Sequence, residues 1–333
     1  MLMIYDDDVY GSILIEEKVL IDLMQTKAME RLKGVNQGGP FILMNPRHEW
    51  RNFKITRFEH SVGVCLLLKI FNTSLEEQVA GLLHDVSHTV FSHALDFLFN
   101  RNVEHDYHES LHKKMILDSS IPSILEKHGL NVEDIIDKKR FTILERELPD
   151  LCADRIDYSL RFMLECGMVS KNQVNDILNA LTIHDDEIVF DDETKARFFA
   201  QKYIEANKLS WCNPLQASLF HVTSETVKIA ISKGILTNDD LFTTDEEVIN
   251  KLKNSQDERI IEMLDLIRNI DVVEDKSNYD YHLKSKVRCT DPKVLIGDGM
   301  MRLSEIDKDY KELMNDFVSE ASKGFFVRII RKS

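Results

Sequence analysis

Apolar residues in Thr73 to His88 (TSLEEQVAGLLHDVSH) recur as Val79, Leu82, Leu83 and Val86, an i, i+3, i+4, i+7 stripe that predicts a helix with one core-facing side. Ser74, three residues ahead of Glu77, has capping-box spacing and marks its start. At about 100° per residue, His84, Asp85 and His88 leave from the opposite side, with Gly81, whose missing side chain lets a backbone or ligand approach. Arg57 to Phe71 (RFEHSVGVCLLLKIF) predicts a second helix on which Arg57, His60, Val64, Leu67 and Phe71 share a face. A third spans Leu148 to Gly167 (LPDLCADRIDYSLRFMLECG), with Pro149 suited to a first turn and Gly167 to a C-cap. Asp154, Asp157, Tyr158 and Arg161 line one of its faces, while Leu151, Leu160, Met163 and Leu164 are available for packing.

The remaining pattern is also mainly helical. Ile183 and Ile188-Val189-Phe190 flank the acidic turn His184 to Glu187 and predict a hairpin, and Phe325 to Ile330 predicts a C-terminal strand. Thr244 ahead of Glu247 opens a capped helix, Trp211 to Pro214 punctuates two long helices, and Asp271 to Met300 reads as irregular. The expected fold class is all-α, with a few short strands or hairpins in the C-terminal half. One large domain over 1–333 is expected, with its chemistry in a core of about 55–165 and a more variable subregion over about 211–333.

Composition narrows the function classes. The chain of 333 residues is 43% apolar, enough for a substantial core, and contains no apolar run of ~20 residues to span a membrane. The 42 basic and 57 acidic residues give −15, an unfavourable field for extended nucleic acid, although a small nucleotide needs only a local basic pocket. Met1 to Tyr10 lacks a basic n-region, and the five cysteines show no paired spacing, so a reduced cytoplasmic setting is expected.

His60, His84, Asp85 and Asp154 are the side chains that bear chemistry. Imidazole nitrogen and carboxylate oxygen suit one divalent Mn, Fe, Co, Ni, Zn or, more weakly, Mg ion. A satisfied core histidine at His60, a solvated polar face at His84-Asp85 and a surface ion pair between Asp157 and Arg161 are the plain alternatives. Arg57 near a helix N-terminus, one turn from His60, suits an anionic substrate, phosphate above all.

The runs Arg57-Phe58-Glu59-His60-Ser61-Val62-Gly63-Val64, Ala80-Gly81-Leu82-Leu83-His84-Asp85-Val86-Ser87-His88-Thr89-Val90-Phe91-Ser92-His93 and Ala153-Asp154-Arg155-Ile156-Asp157-Tyr158 resemble the HD-domain phosphohydrolases. Within them the chain is similar to the deoxynucleoside triphosphate triphosphohydrolase branch, also through Asp8 to Ile13 and Glu30 to Gly39. The resemblance covers roughly the first half. Tyr203 to Pro214 and Cys289-Thr290-Asp291-Pro292 look like less characterised bacterial relatives. The resemblance implies His60, His84, Asp85 and Asp154 as metal ligands and His88, Asp96 and His108 as catalytic residues. Arg57, His93, Arg155, Tyr158 and Gln37 would be substrate contacts. It further implies a small nucleotide substrate, a homo-oligomer, and water attack at the α-phosphate with release of triphosphate.

Several positions depart from the family pattern. Ser87 replaces a usual glycine, Thr89-Val90 replaces Gly-Pro, and Gly38 replaces a leucine that helps reject a ribose hydroxyl, so deoxy or ribo preference is left open. Gln25 to Lys33 lacks the guanine-nucleotide regulatory signature, and Ser218 to Lys228 lacks the usual substrate helix motif. Alternatives are a phosphatase or phosphodiesterase on monophosphates, cyclic or dinucleotides, a di-iron oxygenase, given the many histidines from His88 to His112, and an inactive nucleotide-binding protein.

Overall fold

A computed structural model describes residues 2–98 and 109–331. The three predicted helices form around one another: Arg57–Ile70 and Leu75–Leu83 pack together, and Ala153–Glu165 packs on the first. Thr56 opens Arg57–Ile70 with a full capping box, its Oγ1 accepting from Glu59 N at 3.2 Å while Glu59 Oε2 accepts from Thr56 N at 2.7 Å. Gly81 serves the packing of these helices. A Cβ there would run into Leu68 and come 3.3 Å from Val64, so the absent side chain admits a neighbouring helix rather than a ligand.

Three local expectations are corrected. The Ser74 cap is half a box: its side chain accepts from Glu77 N, but Glu77 Oε1 instead accepts from Ile143 N and Leu144 N, both at 3.0 Å. The helix ends at Leu83, leaving His84 to Ser87 in turns closed by Val86 N to Leu83 O and His88 N to Asp85 O. The third helix starts at Ala153 rather than at Pro149, and its first N–H groups reach back to Ile143 O and Leu144 O. Glu77 thus fixes the backbone that in turn fixes the start of the Asp154 helix.

Among the described residues 56% are helical and 13% lie in strands of three sheets, a mixed α/β architecture, and the all-α expectation was wrong. Strands β1 (Met3–Asp7) and β2 (Gly11–Ile15) form an N-terminal hairpin whose register pairs Met3 with Ile15 and Tyr5 with Ile13 on the inner face. β3 (Leu181–His184) and β4 (Glu187–Phe190) form the expected hairpin, with Asp185 and Asp186 at φ 50° and 58° in its turn. β5 (Ile270–Glu274), β6 (Tyr281–Leu283), β7 (Lys293–Ile296) and β8 (Gly299–Arg302) occupy the segment expected to be irregular. The expected C-terminal strand is β9 (Phe325–Arg331). The sheets run β3-β4-β7-β8 and β5-β9-β6, so β7 and β9 pair with strands remote in sequence. Such pairing leaves no local signature beyond three to seven half-buried residues, too few for a period to show.

The capped Asp245–Asn254 helix and the punctuation at Pro214, which begins Pro214–Ser232, form as expected. No helix among the described residues is long and apolar enough to cross a membrane.

Candidate metal centre and its pocket

His60, from the first helix, His84 and Asp85, from the turn after the second, and Asp154, from the first turn of the third, converge. His60 Nε2 lies 3.2 Å from His84 Nε2 and 3.0 Å from Asp154 Oδ1, and His84 Nε2 lies 3.6 Å from Asp154 Oδ1 and 3.5 Å from Asp85 Oδ1. Ligand atoms at about 2.1 Å from a shared ion are about 3.0–3.4 Å apart, so His60, His84 and Asp154 group as a set that suits one divalent metal, with Asp85 beside them at 3.5 Å from His84 Nε2 and 3.8 Å from His60 Nε2. The far ring nitrogens agree: His60 Nδ1 lies 2.7 Å from Asp157 Oδ2, and His84 Nδ1 lies 2.7 Å from Gly81 O. A proton shared with an oxygen at Nδ1 leaves Nε2 as the metal-facing atom of both rings.

The electrostatics match a site built for cationic charge. Burial opposes charge on His60, yet its bonds to Asp154 and Asp157 outweigh that and hold it up to about 9. Burial likewise opposes charge on Asp154, but His60 and His84 hold it well below the usual carboxylate range. Asp157 is fully buried and held low against that burial by Arg161 and then His60. Arg161 Nε lies 2.8 Å from Asp157 Oδ2, and its Nη2 lies 2.7 Å from Asp7 Oδ2 on β1. The pair expected on a solvated face is therefore an interior charge chain behind His60. Gly63 makes room for it, because a Cβ there would overlap both Arg161 and Asp157.

Arg57 is buried, lines the pocket and donates to Asp85 Oδ2 at 2.7 Å and to Ser92 Oγ at 3.0 Å. Arg57 thus touches a candidate ligand as well as the pocket. His88 and His93 stand edge to face at 4.8 Å between centroids, and both line the pocket. Asp96 Oδ2 holds His93 Nδ1 at 2.9 Å from behind and is not itself part of the wall. Gln37, Arg155 and Tyr158 line the pocket as well. His108 lies outside the described residues.

The Thr89 to His93 loop, which carries Thr89-Val90, holds two strained residues. Phe91 and Ser92 take left-handed φ of 57° and 49°, at a cost of about 1–3 kcal/mol each. Asp245, absent from the sequence-based candidates, offsets that strain: its Oδ1 accepts from Phe91 N at 2.8 Å and its Oδ2 from Asn36 N at 2.9 Å. It thereby ties the His93 loop to the Gln37 loop, and burial pushes its carboxyl up to about 7. At Gly38 a Cβ would come 2.6 Å from Phe41 and 2.8 Å from Phe53, so these two rings leave no room for a side chain there.

Sequence reasoning also missed Lys138, Lys286 and Arg288, which bring positive charge to the pocket, and the aromatic wall of Phe53, Phe162, Trp211 and Phe220. The only sequence signal near the two later cations is the Cys289 to Pro292 motif.

His112 shapes the outer shell through its Nε2, 3.0 Å from Leu83 O at the end of the His84 turn. Burial, and then Lys138, pull its imidazole down to about 4, so the unfolded chain binds one more proton between about pH 6.5 and 4. This contribution to stability is full above pH 6.5 and lost as pH falls through the window. The stability gap between wild type and His112→Gln is expected to narrow by roughly 2–3 kcal/mol from pH 7.5 to 4.5, measured by urea unfolding. A constant gap would show that His112 titrates normally.

A mainly helical core that gathers an Arg–His, a His–Asp and an Asp–Arg motif into one pocket defines a class. The HD domain family model matches residues 57–161, and the chain belongs to the HD-domain family. It is 36% identical over 328 residues, 98% of this chain and 99% of the other, to the uncharacterised protein YdhJ of Bacillus subtilis. It is 29% identical to the metal-dependent phosphohydrolase cns2 of Cordyceps militaris, over 86% of this chain and 84% of that one. A more distant relative is the deoxynucleoside triphosphate triphosphohydrolase SAMHD1 of Gallus gallus, 27% identical over 41% of this chain and 25% of that protein.

Proposed function

We propose that this protein is a metal-dependent phosphohydrolase of nucleotides, with dNTP or NTP triphosphohydrolysis as its reaction. The carrying observation is one pocket lined by His60, His84, Asp85 and Asp154 together with Arg57, Arg155 and the rings of Phe53, Phe162 and Trp211. His60, His84, Asp85 and Asp154 would hold the metal. When bound, a divalent ion supplies Lewis acidity and a water of lowered pKa.

The chain's own residues do the rest. Arg57 and Arg155 offset charge that develops on the phosphoryl oxygens. Asp96, gripping His93 at Nδ1, sets which ring nitrogen carries the proton, and places His93 to meet a leaving oxygen beside His88. Phe53, Phe162 and Trp211 supply a flat apolar wall for a base or sugar, and Gln37 a polar contact beside it.

A screen of dNTPs, NTPs and monophosphates with Mn²⁺, Co²⁺ and Mg²⁺ tests this reading. Inorganic triphosphate as product supports it; orthophosphate alone would make the protein a phosphatase, and two irons per chain would point to an oxygenase.

Hydrolysis is expected to need no guanine nucleotide. Arg31, in the segment where the regulatory signature is lost, is instead spent on Val86 O, His88 O and Thr243 O at 3.0, 2.8 and 3.2 Å. Rates on a non-guanine substrate should agree within about twofold with and without GTP or dGTP. An obligatory activation would reverse the reading of Gln25 to Lys33.

A further inference from the structure

Between β6 and β7 the chain runs along the pocket without regular structure over residues 284–292. Its first end is held by β6 on β9, where the His282 and Phe326 rings stack at 4.1 Å. Its other end is the Cys289-Thr290-Asp291-Pro292 motif, which is buried throughout. Thr290 O accepts from the buried Tyr310 hydroxyl, Asp291 N donates to Pro149 O at 3.0 Å, and Asp291 accepts from Ser304 N at 2.9 Å and Ser304 Oγ at 2.6 Å. The motif is therefore an anchor, and it ties the strap to the segment that leads into the Asp154 helix.

Held at both ends, the strap turns Ser285, Lys286 and Arg288 into the pocket that the metal-ligand candidates line. Lys286 is half-buried; burial, and then the like charge of Arg288, pull its ammonium down, while Glu109 opposes that and Arg155 adds to it. Lys286, Arg288 and Arg155 thus bring three positive charges into one pocket, which suits an anionic ligand. The His/Asp cluster with Arg57 accounts for one phosphate. Lys286 and Arg288 belong to a different part of the chain, and that mechanism does not use them.

We propose that the 284–292 strap is a specificity element in which Lys286 and Arg288 hold the anionic groups of a ligand beyond the phosphate at the His/Asp cluster. The site then takes a chain of two or more phosphates. This rests on the hydrolase reading for which phosphate sits at the cluster, but the binding itself is independent of turnover. The shared chemistry is the phosphate chain, whether carried by a nucleoside or free.

Inorganic triphosphate and orthophosphate are titrated calorimetrically into metal-loaded protein with metal in excess. Wild type should bind triphosphate, and Lys286→Gln/Arg288→Gln should bind it roughly 10–100-fold more weakly while orthophosphate changes by less than about threefold. Unchanged triphosphate affinity, or an equal loss for both ligands, overturns the proposal. If the double variant does not fold, Lys286→Gln alone should lose about 5–10-fold on triphosphate only, and an unchanged affinity overturns the proposal as well. Tighter binding of a non-hydrolysable nucleoside triphosphate than of triphosphate assigns the chain to a nucleotide; equal binding assigns it to a free polyphosphate. A wild type that turns over no phosphate ester yet shows these binding differences would sink the hydrolase reading and leave the strap standing.

Discussion

On the proposed reading, Asp85→Asn is expected to empty the metal site and lower hydrolysis by at least roughly 10³-fold, because a neutral amide would replace a charged candidate ligand and a bound metal would no longer be held to lower the pKa of a water. Asparagine is the better probe than alanine. Asp85 Oδ2 takes the buried Arg57 guanidinium at 2.7 Å, and removing that acceptor outright would leave a buried charge unpaired, at a cost of about 3–5 kcal/mol. The amide oxygen keeps a partner for Arg57, so circular dichroism should show wild-type helix content. Elemental analysis and a rate assay on the same preparation decide the matter. A variant with full metal content and wild-type activity would remove Asp85 from the ligand set.

The arrangement also changes what Arg57 variants can report. A guanidinium that both lines the phosphate space and pairs with Asp85 cannot be deleted without disturbing the candidate ligand. Loss of metal after Arg57→Ala would therefore reflect that shared bond as much as any lost phosphate contact.

What was legible in the sequence follows the range of the interactions. The capping box at Thr244, the β3–β4 turn and the break at Pro214 are local, and each formed where the pattern put it; the equally local box at Thr56 was passed over. The His60, His84-Asp85 and Asp154 motifs were readable because each lies within one turn of helix or just beyond it. Long-range features were not. Glu77 was assigned to its own helix cap, yet its carboxylate serves Ile143 and Leu144. The β1–β2 hairpin hid behind acidic residues, since Ile4 and Leu14 face outward and blur the alternation that buries Met3, Tyr5 and Ile13. β7 pairs with β8 across the two-residue Gly297-Asp298 turn, a local hairpin signal that was passed over, whereas its long-range pairing with β4 meets at Phe190 and Val294. Asp245 and the strap residues reach the site from the second half, where the Thr244 cap and the Cys289 to Pro292 motif lie beside them but carry no sign of the site.

Asp157 shows most clearly how a residue one turn from a recognised ligand candidate does its work out of sight. Asp157→Ala is expected to weaken metal affinity by roughly 10–100-fold, since the carboxylate that fixes the His60 tautomer and ring angle is gone. The same change should destabilise the fold by about 3–5 kcal/mol, because Arg161 keeps only Asp7 as an anionic partner in a dry interior. Asp157→Asn should keep most of the stability by retaining an acceptor for His60 Nδ1, while still weakening the metal through loss of charge. Metal affinity measured by competition with a chelator, alongside urea unfolding, separates the two effects. If Asp157→Ala unfolds more easily but binds metal as wild type does, the Asp7–Arg161–Asp157 chain is structural only, and His60 owes its orientation to Asp154 and the surrounding packing.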